Sequence, residues 1–462
     1  IKELEHQTEH FKLITIATAQ HRQMLDQVLD VFKIKPDYDL NIMKPLQTLA
    51  TITKNTIEEL DLIFEKEKPD LVLVQGDTTT TFVGSLAAFY RQIPVGHIEA
   101  GLRTNDKSNP FPEEINRRLT STITDLHFAP TQTAKEALLV ENVNPKNIFV
   151  TGNTVIDALS YSVKKDYVFS SDTLNKIIDQ DKKIILVTMH RRENLVEPMK
   201  SACHAIKNLA LSYKDYNIIF PVHLNPKVQD VAQSILGNIP NIFLIKPLDY
   251  LDFVNLISKS YLILTDSGGV QEEGPHFGIP ILVLREVTER PEAVEYGTVK
   301  LVGLDEYNIF TTADNLLNNE DEYIKMASAV NPYGDGFSAQ RTIQIIKNYF
   351  QISNIPIIEF DPLAIKENSN HTVLTEKLEY DCLLYTSDAA DERSSVDLGG
   401  RRIIKKKKTR HIVRCTSNTC ESTNLLGDLQ RTIYTCAFSS THSVLYCITR
   451  IAPINHTRDQ SI

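Results

Sequence analysis

Short apolar runs, each closing on a polar or glycine-bearing cluster and each followed by a helix-compatible stretch, recur along the chain and leave few folds open. In the first half they are Leu13 to Ala17, PDLVLVQGD from Pro69, IPVGHIEAG from Ile93, LHFAPT from Leu126 and NIFVTGN from Asn147. In the second half they are KIILVTMH from Lys183, NIIFPVH from Asn217, NIFLIKP from Asn241, YLILTD from Tyr261, IPILVLR from Ile279 and TVKLVG from Thr298. Runs this short, with no polar alternation, suit strands covered on both faces, as in parallel sheets. The segments between them are helical: His21 to Phe32, then Thr48 to Lys66, with Leu49, Ile52, Ile57, Leu60 and Ile63 at helical spacings. PEEINRRLT begins a further helix with Pro112 in its first turn, where no N–H is needed. Strands alternating with helices define an α/β protein, and two such series define two Rossmann-like domains with parallel sheets. The expected units are residues 1–153, 154–330, a turn and closing helix over 331–351, and a tail over 352–462.

The first of these units opens at Ile1 inside a charged stretch, IKELEHQTEHF, that reads as a helix. A formal charge of −10 over 462 residues argues against a nucleic-acid partner, which favours a basic face. No apolar run reaches the length of a membrane span and the amino terminus carries no signal-peptide pattern, so a cytoplasmic protein without a membrane partner is expected. Cysteine use divides the chain. Cys203 stands alone in the first 381 residues, whereas Cys382, Cys415, Cys420, Cys436 and Cys447 follow. The main body therefore has no disulfide framework. CLLYTSDAADE, from Cys382, resembles the translation of a sequencing-library adapter, so residues from about 382 onward read as artefactual and unstructured. The basic run Arg401 to Lys408 would otherwise suit an anionic partner, and Cys415 and Cys420 lack the spacing of metal ligands.

The most informative stretch is YLILTDSGGVQEE, Tyr261 to Glu273. An apolar strand, a Ser267-Gly268-Gly269 turn and a helix start in direct succession leave backbone N–H groups converging on one spot, where an anion is held. The two glycines let the backbone approach it closely. Glu273 sits where a carboxylate accepts hydrogen bonds from sugar hydroxyls. Taken alone, the turn fits a ligand-free connection equally well.

Carboxylates gather at strand ends and helix starts of the first half: Asp77, Glu99, Glu113 and Glu114. The second half contributes His223, the glycine turn, Glu273 and Arg290. In open α/β sheets such positions face the ligand crevice. Acids on one wall and an anion cradle on the other suit a sugar nucleotide, the cradle holding the diphosphate and the acids moving protons. Each residue alone has a plainer reading. Asp77 suits a helix N-cap, Glu113 and Glu114 suit a helix dipole, His223 a strand end, and Arg290 an ion pair with Glu289 or Glu292.

Taken together and in order, GDTTTT, HIEAGLRT, FPEEINR, HRRENL, PVHLNP, TDSGGVQEE and TERPEAV closely resemble the bacterial non-hydrolysing UDP-N-acetylglucosamine 2-epimerases, over roughly residues 1–350. TAQHRQMLDQVL and NPYGDG extend the resemblance to both ends of that region. It implies a glycosyltransferase-B type fold with the active site in the interdomain cleft. The implied activity is reversible epimerisation at C2 of UDP-N-acetylglucosamine to UDP-N-acetylmannosamine, without a metal or nicotinamide cofactor. UDP would leave to give a 2-acetamidoglucal and then add back, and the product would serve cell-surface polysaccharide synthesis. The matching positions are Asp77, Glu99 and Glu113 as the acid/base group, with His223 beside them at the departing UDP. Ser267, Gly268, Gly269, Glu273 and Arg290 match contacts to UDP or sugar, and Phe253 and the Leu248 backbone match the uracil pocket. Gln20, Gln23, Gln47 and Arg192 match a second UDP-N-acetylglucosamine site that activates some relatives, and relatives form homodimers. Gln20 and Gln23 equally suit the surface of a helix.

One departure from the family pattern is the absence of a first strand and glycine turn of the form GTRPE. The expectation is a gap in the first sheet, exposed edges beside it and a chain that is unstable or inactive as it stands. A glycosyltransferase on the same scaffold and a non-catalytic UDP-sugar sensor are the alternatives. Three carboxylates facing one cradle argue against transfer, which needs at most one base.

Overall fold

The computed structural model describes residues 1–18, 22–42, 47–108, 110–189, 197–288, 290–364 and 445–451. In chain order the strands are β1 (Phe11–Ala17), β2 (Tyr38–Asp39), β3 (Leu71–Gln75), β4 (Val95–Ile98), β5 (Leu126–Ala129), β6 (Ile148–Val150) and β7 (Lys183–Thr188). They continue as β8 (Tyr216–Pro221), β9 (Ile242–Ile245), β10 (Leu262–Thr265), β11 (Ile281–Val283), β12 (Val299–Leu301) and β13 (Leu445–Ile451). Two sheets result, ordered β2-β1-β13-β3-β4-β5-β6 and β12-β11-β10-β7-β8-β9. Every pairing is parallel except those of β13. These are the two Rossmann-like lobes read from the sequence.

The absence of polar alternation in the strands has the expected cause. In the second lobe Ile185, Val187, Leu262 and Leu264 join one core with Ala202, Ile206 and Leu209 of helix Glu197–Ser212. Their sequence neighbours Ile184, Leu186 and Ile263 join the core on the opposite face with Val254 and Ile257. Strands with both faces covered need an apolar residue at every position, each contributing about 1.5–3 kcal/mol when fully buried. The first lobe repeats the plan: β3 buries Val72 and Val74 against Leu60 and Phe64, and Leu71 and Leu73 against Phe128.

The chain crosses between lobes twice, and the crossings touch. The Asn153 N–H donates to the Tyr333 carbonyl at 2.7 Å, and Ser338 Oγ donates to the Gly152 carbonyl at 2.7 Å. Asp157 accepts the N–H groups of Ser338 (3.2 Å) and Ala339 (2.7 Å), capping helix Ser338–Tyr349 from the neighbouring helix Thr154–Ser162. The closing helix then packs Ile343, Ile345 and Ile346 onto the first lobe beside Leu71 and Phe128.

Three expectations need correction. The amino-terminal helix is short, Lys2–Glu5, because Phe11 already enters the first lobe's core as a strand residue. The stretch after the closing helix does not leave the body at once. Lys135 pairs with Glu359 at 2.8 Å, and the Phe360 N–H donates to the Val150 carbonyl at 2.8 Å with its ring buried. The third concerns the tail, most of which (365–444 and 452–462) lies outside the described residues. Leu445–Ile451, however, forms β13 and lies antiparallel between β1 and β3, where a gap was expected. Two facing strand edges offer unpaired N–H and C=O groups, and any strand-compatible segment in reach satisfies both at once.

We predict that a chain ending at residue 364 melts with an additional low-temperature transition, because β1 and β3 then face each other with unpaired edges. Scanning calorimetry of the two chains checks this, and identical thermograms would refute it.

Candidate active site

The first lobe's wall is built from strand ends. After β3 the chain turns through Gly76, at φ +72°, to Asp77. Helix Thr79–Tyr90 is capped by Thr78, whose Oγ1 accepts the Thr81 N–H at 3.3 Å, so Asp77 is released from capping. Its carboxylate instead meets Arg117 Nη2 at 2.5 Å, and its carbonyl accepts Asn116 Nδ2 at 2.9 Å. Both partners lie on helix Glu113–Ile123, where Glu113 stands one turn before Arg117 on the same face. Glu99 follows β4 with a left-handed backbone, φ +67°, and is buried. Non-glycine residues rarely adopt that conformation, and it concentrates at functional sites. The next turn needs Gly101: its φ is +93°, and an added Cβ would fall 2.2 Å from the Ala134 carbonyl oxygen. His97 ties the two turns together, its Nε2 lying 2.8 Å from the Gly76 carbonyl. Burial pulls the His97 pKa down to about 3, so the ring is neutral and Nε2–H is the donor.

The second lobe supplies the other wall. β10 leads through Asp266 and Ser267 into helix Gly268–Glu273. Ser267 occupies the N-cap position but its side chain makes no capping bond, and its Oγ, though buried, has no hydrogen-bond partner. The first N–H groups of any helix lack intrahelical acceptors, so this turn keeps donors for another acceptor. Glu273 is buried and its Oε2 is likewise unsatisfied. Gln271 bridges the turn to the next loop, donating to the Ser267 carbonyl at 2.9 Å and accepting from Thr288 Oγ1 at 2.5 Å. Thr288 Oγ1 in turn accepts the Arg290 N–H at 3.0 Å. His223, after β8, accepts the Asn225 N–H on Nδ1 at 3.1 Å, which leaves Nε2 as the protonated, donating nitrogen of the neutral ring.

The two walls meet at Asn153, on the first crossing. Its Nδ2 lies 2.9 Å from Glu272 Oε2 of the second lobe and 3.4 Å from Glu99 Oε1 of the first. Glu272 Oε1 forms an ion pair with Arg290 Nε. The electrostatics follow from this proximity. Burial, then the charges of Glu272 and Asp77, push the Glu99 pKa well above the usual carboxylate range against the pull of Arg290 and Arg117. Burial also raises Asp77, opposed chiefly by Arg117 and more weakly by Arg290. Burial raises Glu113 as well, with Asp77 adding to it. Burial followed by Glu272 holds Glu273 well above its ordinary value. Carboxyls displaced upward in this way can hold and release protons near neutral pH.

Asp77, Glu99 and Glu113 thus belong to one cluster that reaches Arg290, while Glu114 touches it only through the far side of Arg117, whose Nη1 lies 3.4 Å from Oε2 of Glu114. Its oxygens accept the N–H groups of Thr104 (3.0 Å) and Asn105 (3.2 Å) and pair with Arg118 at 3.1 Å. Burial opposes its ionisation, but these donors win and its pKa is lowered, so it holds a loop. Arg290 pairs with Glu272, not Glu292, which accepts from Thr131 Oγ1 and the Tyr333 hydroxyl; Glu289 lies outside the described residues. Phe253 is buried in the second lobe's core, with Leu248 packed against it. Gln20 and Arg192 lie outside the described residues, as does the side chain of Gln23, and Gln47 stands just before helix Leu49–Glu67. Sequence reasoning missed Arg117, Glu272 and Asn153. The four-residue spacing from Glu113 to Arg117 on one helix was a usable signal. Nothing local marks Asn153 or Glu272, whose roles depend on the lobes meeting.

Residues 2–347 match the family model described as UDP-N-acetylglucosamine 2-epimerase. The chain is 55% identical over 346 residues to the UDP-N-acetylglucosamine 2-epimerase of Bacillus subtilis, covering 74% of this chain and 89% of that protein. It is 52% identical over 345 residues to that of Escherichia coli K12, covering 73% and 91%. Among solved structures it resembles the Neisseria meningitidis UDP-GlcNAc 2-epimerase bound to UDP-GlcNAc, with a TM-score of 0.62 at 51% identity over 72% of this chain and 90% of that one.

Two predictions follow from the site's geometry. Gly101→Ala drives a methyl into the Ala134 carbonyl and strains a left-handed turn, displacing Glu99. It should cost about 1–3 kcal/mol in denaturant unfolding and lower turnover more than tenfold, by order of magnitude. Glu273→Gln should stabilise the fold in a pH-dependent way. Because the folded pKa is raised, the unfolded chain loses this proton first, so wild-type stability is intact below the ordinary value of 4.5 and falls as pH climbs toward the folded value. The Tm advantage of the glutamine variant should vanish at low pH and grow above it; a constant difference would contradict the assignment.

Proposed function

The chain belongs to the UDP-N-acetylglucosamine 2-epimerase family, and from that premise we propose how its residues interconvert UDP-N-acetylglucosamine and UDP-N-acetylmannosamine. The observation that supports this reading most strongly is the cross-lobe cluster in which Glu99 and Asp77 stand within electrostatic reach of Arg290. Carboxyls able to exchange protons on one side and a guanidinium on the other match a sugar nucleotide spanning the cleft.

The reaction begins with removal of the C2 proton, a weak acid that needs a positioned carboxylate. The electrons of the C2–H bond form the C1–C2 double bond, the C1–O bond breaks, and UDP leaves with the bonding pair. Arg290, the protonated Nε2 of His223 and the donors of the Ser267-Gly268-Gly269 turn stabilise the charge that develops on the β-phosphate. UDP then returns to C1 while a second carboxyl delivers a proton to the opposite face of C2. Asp77, Glu99 and Glu113 supply these two roles. Arg117, at 2.5 Å from Asp77, favours its ionised form, which suits a base. Glu99, held well above the usual range, suits an acid. Glu273 receives sugar hydroxyls, and the Leu248 main chain and Phe253 border the uracil. The free glucal is kept from water by lobe closure around the paired crossings.

A homodimer, a second, activating UDP-N-acetylglucosamine site near Gln47 and a cytoplasmic location complete the proposal. The last is supported by Cys203, a buried free thiol in a body without disulfides.

Incubation with UDP-N-acetylglucosamine in heavy water tests the reading. The expected outcome is deuterium at C2 together with the mannosamine epimer; turnover without C2 exchange would overturn it. Asp77→Asn should lower kcat by about 10²–10⁴ with UDP affinity largely kept, because this residue acts on the sugar.

A further inference from the structure

Glu272 has no part in the chemistry just described, yet more of the site converges on it than on any catalytic carboxyl. It lies on helix Gly268–Glu273 and is 2% exposed. One carboxylate oxygen takes the Arg290 guanidinium and the other takes the Asn153 amide at 2.9 Å. Its own carbonyl accepts Asn331 Nδ2 at 2.8 Å. Asn153 lies on one lobe crossing and Asn331 on the other, so a single residue joins both crossings to the arginine. The same Asn153 nitrogen also approaches Glu99 Oε1 at 3.4 Å.

Both Glu272 oxygens are engaged, which leaves neither for a proton transfer to substrate. A buried carboxylate is costly even when paired, and an apolar side chain of similar size packs at least as well. This one stands beside Glu99 and Glu273 and adds repulsion to both. A purely structural role does not call for such an arrangement.

We propose that Glu272 is a positioning residue for the epimerisation: it fixes Arg290 and Asn153 in register with both lobe crossings, and through Asn153 it sets the charge environment of Glu99. The proposal rests on the functional reading above. Arg290 is held at a set angle and partly neutralised, so it meets the β-phosphate as charge develops there without gripping the ground state. Glu99 faces Asp77 from the turn after β3, Arg117 from helix Glu113–Ile123, and Glu272 and Arg290 from the second lobe. The Asn153 amide is the neutral group between the two carboxylates.

Glu272→Gln keeps the shape and removes the charge, and Asn153→Ser keeps a helix cap while losing the bridge. Each is compared with the wild-type chain in kcat, KM and pH profile, with Glu99→Gln identifying the limb that reports Glu99. In Glu272→Gln we expect kcat to fall about tenfold or more while KM does not rise, with the Glu99 limb moving to lower pH by about one unit. In Asn153→Ser the same limb moves the other way, to higher pH, because two carboxylates then face each other directly. Limbs that stay in place in either folded variant, or a kcat within twofold of wild type in Glu272→Gln, overturn the proposal. If Glu272→Gln does not fold, the Asn153→Ser limb decides alone. A wild-type chain that fails to epimerise overturns the functional reading, and this inference with it; active wild type with unmoved limbs defeats this inference only.

Discussion

The contact between the two lobes at Asn153, Glu99, Glu272 and Arg290 is the constraint on which the rest of the structure depends. Each lobe is a sheet with its own helices, and neither holds the whole set of groups proposed to react. Asp77 and Glu99 stand at strand ends of the first, while Arg290, Ser267 and Glu273 come from the second. The proposed proton-transfer carboxyls and the proposed phosphate-binding cation become one site only if the crossings hold the lobes in register. The Asn153–Tyr333 backbone bond and the Ser338 hydroxyl on the Gly152 carbonyl do that, and the Asn153–Glu272 bond carries the register into the cleft.

This arrangement is costly in the free protein. Glu99 and Glu273 lie in surroundings that disfavour their ionised forms, Ser267 Oγ and Glu273 Oε2 are buried without partners, and Glu99 adopts a left-handed backbone. Burial of an unsatisfied polar group costs about 1–3 kcal/mol. The two parallel sheets offset this, since both faces of their central strands are covered and nearly every strand residue contributes. Stability generated in the cores is thus lost in part at the cleft, a pattern expected where function requires strain.

Much of this was legible in the sequence because its signals are local. Uniform apolar runs between helical segments specified parallel strands, and the glycine turn after Asp266 specified a donor-rich helix start. The order of blocks from GDTTTT to TERPEAV carried the family resemblance. Other features were illegible because they arise from partners distant in sequence. Asp77 reads as a helix cap until Thr78 takes that place and Arg117, forty residues on, claims the carboxylate. Glu114 reads like its neighbour Glu113, yet one residue along a helix turns it away from the cleft and into the Thr104–Asn105 loop. Glu272, adjacent to Glu273, shows the same effect in reverse: the local sequence gives no reason to prefer either, and the crossings decide. The strand Leu445–Ile451 was unexpected because its place is set by the edges of β1 and β3, not by its own neighbours.

The central claim is that groups from both lobes act together to break and remake one sugar–phosphate bond. An oxygen-18 label placed in the bridge between C1 and the β-phosphorus of UDP-N-acetylglucosamine tests it most directly. If UDP departs and returns within the closed cleft, the label spreads into the non-bridging β-phosphate oxygens. Glu99→Gln from one lobe and Arg290→Ala from the other should each suppress that spread. Epimerisation at C2 with the label retained in the bridge would contradict the account.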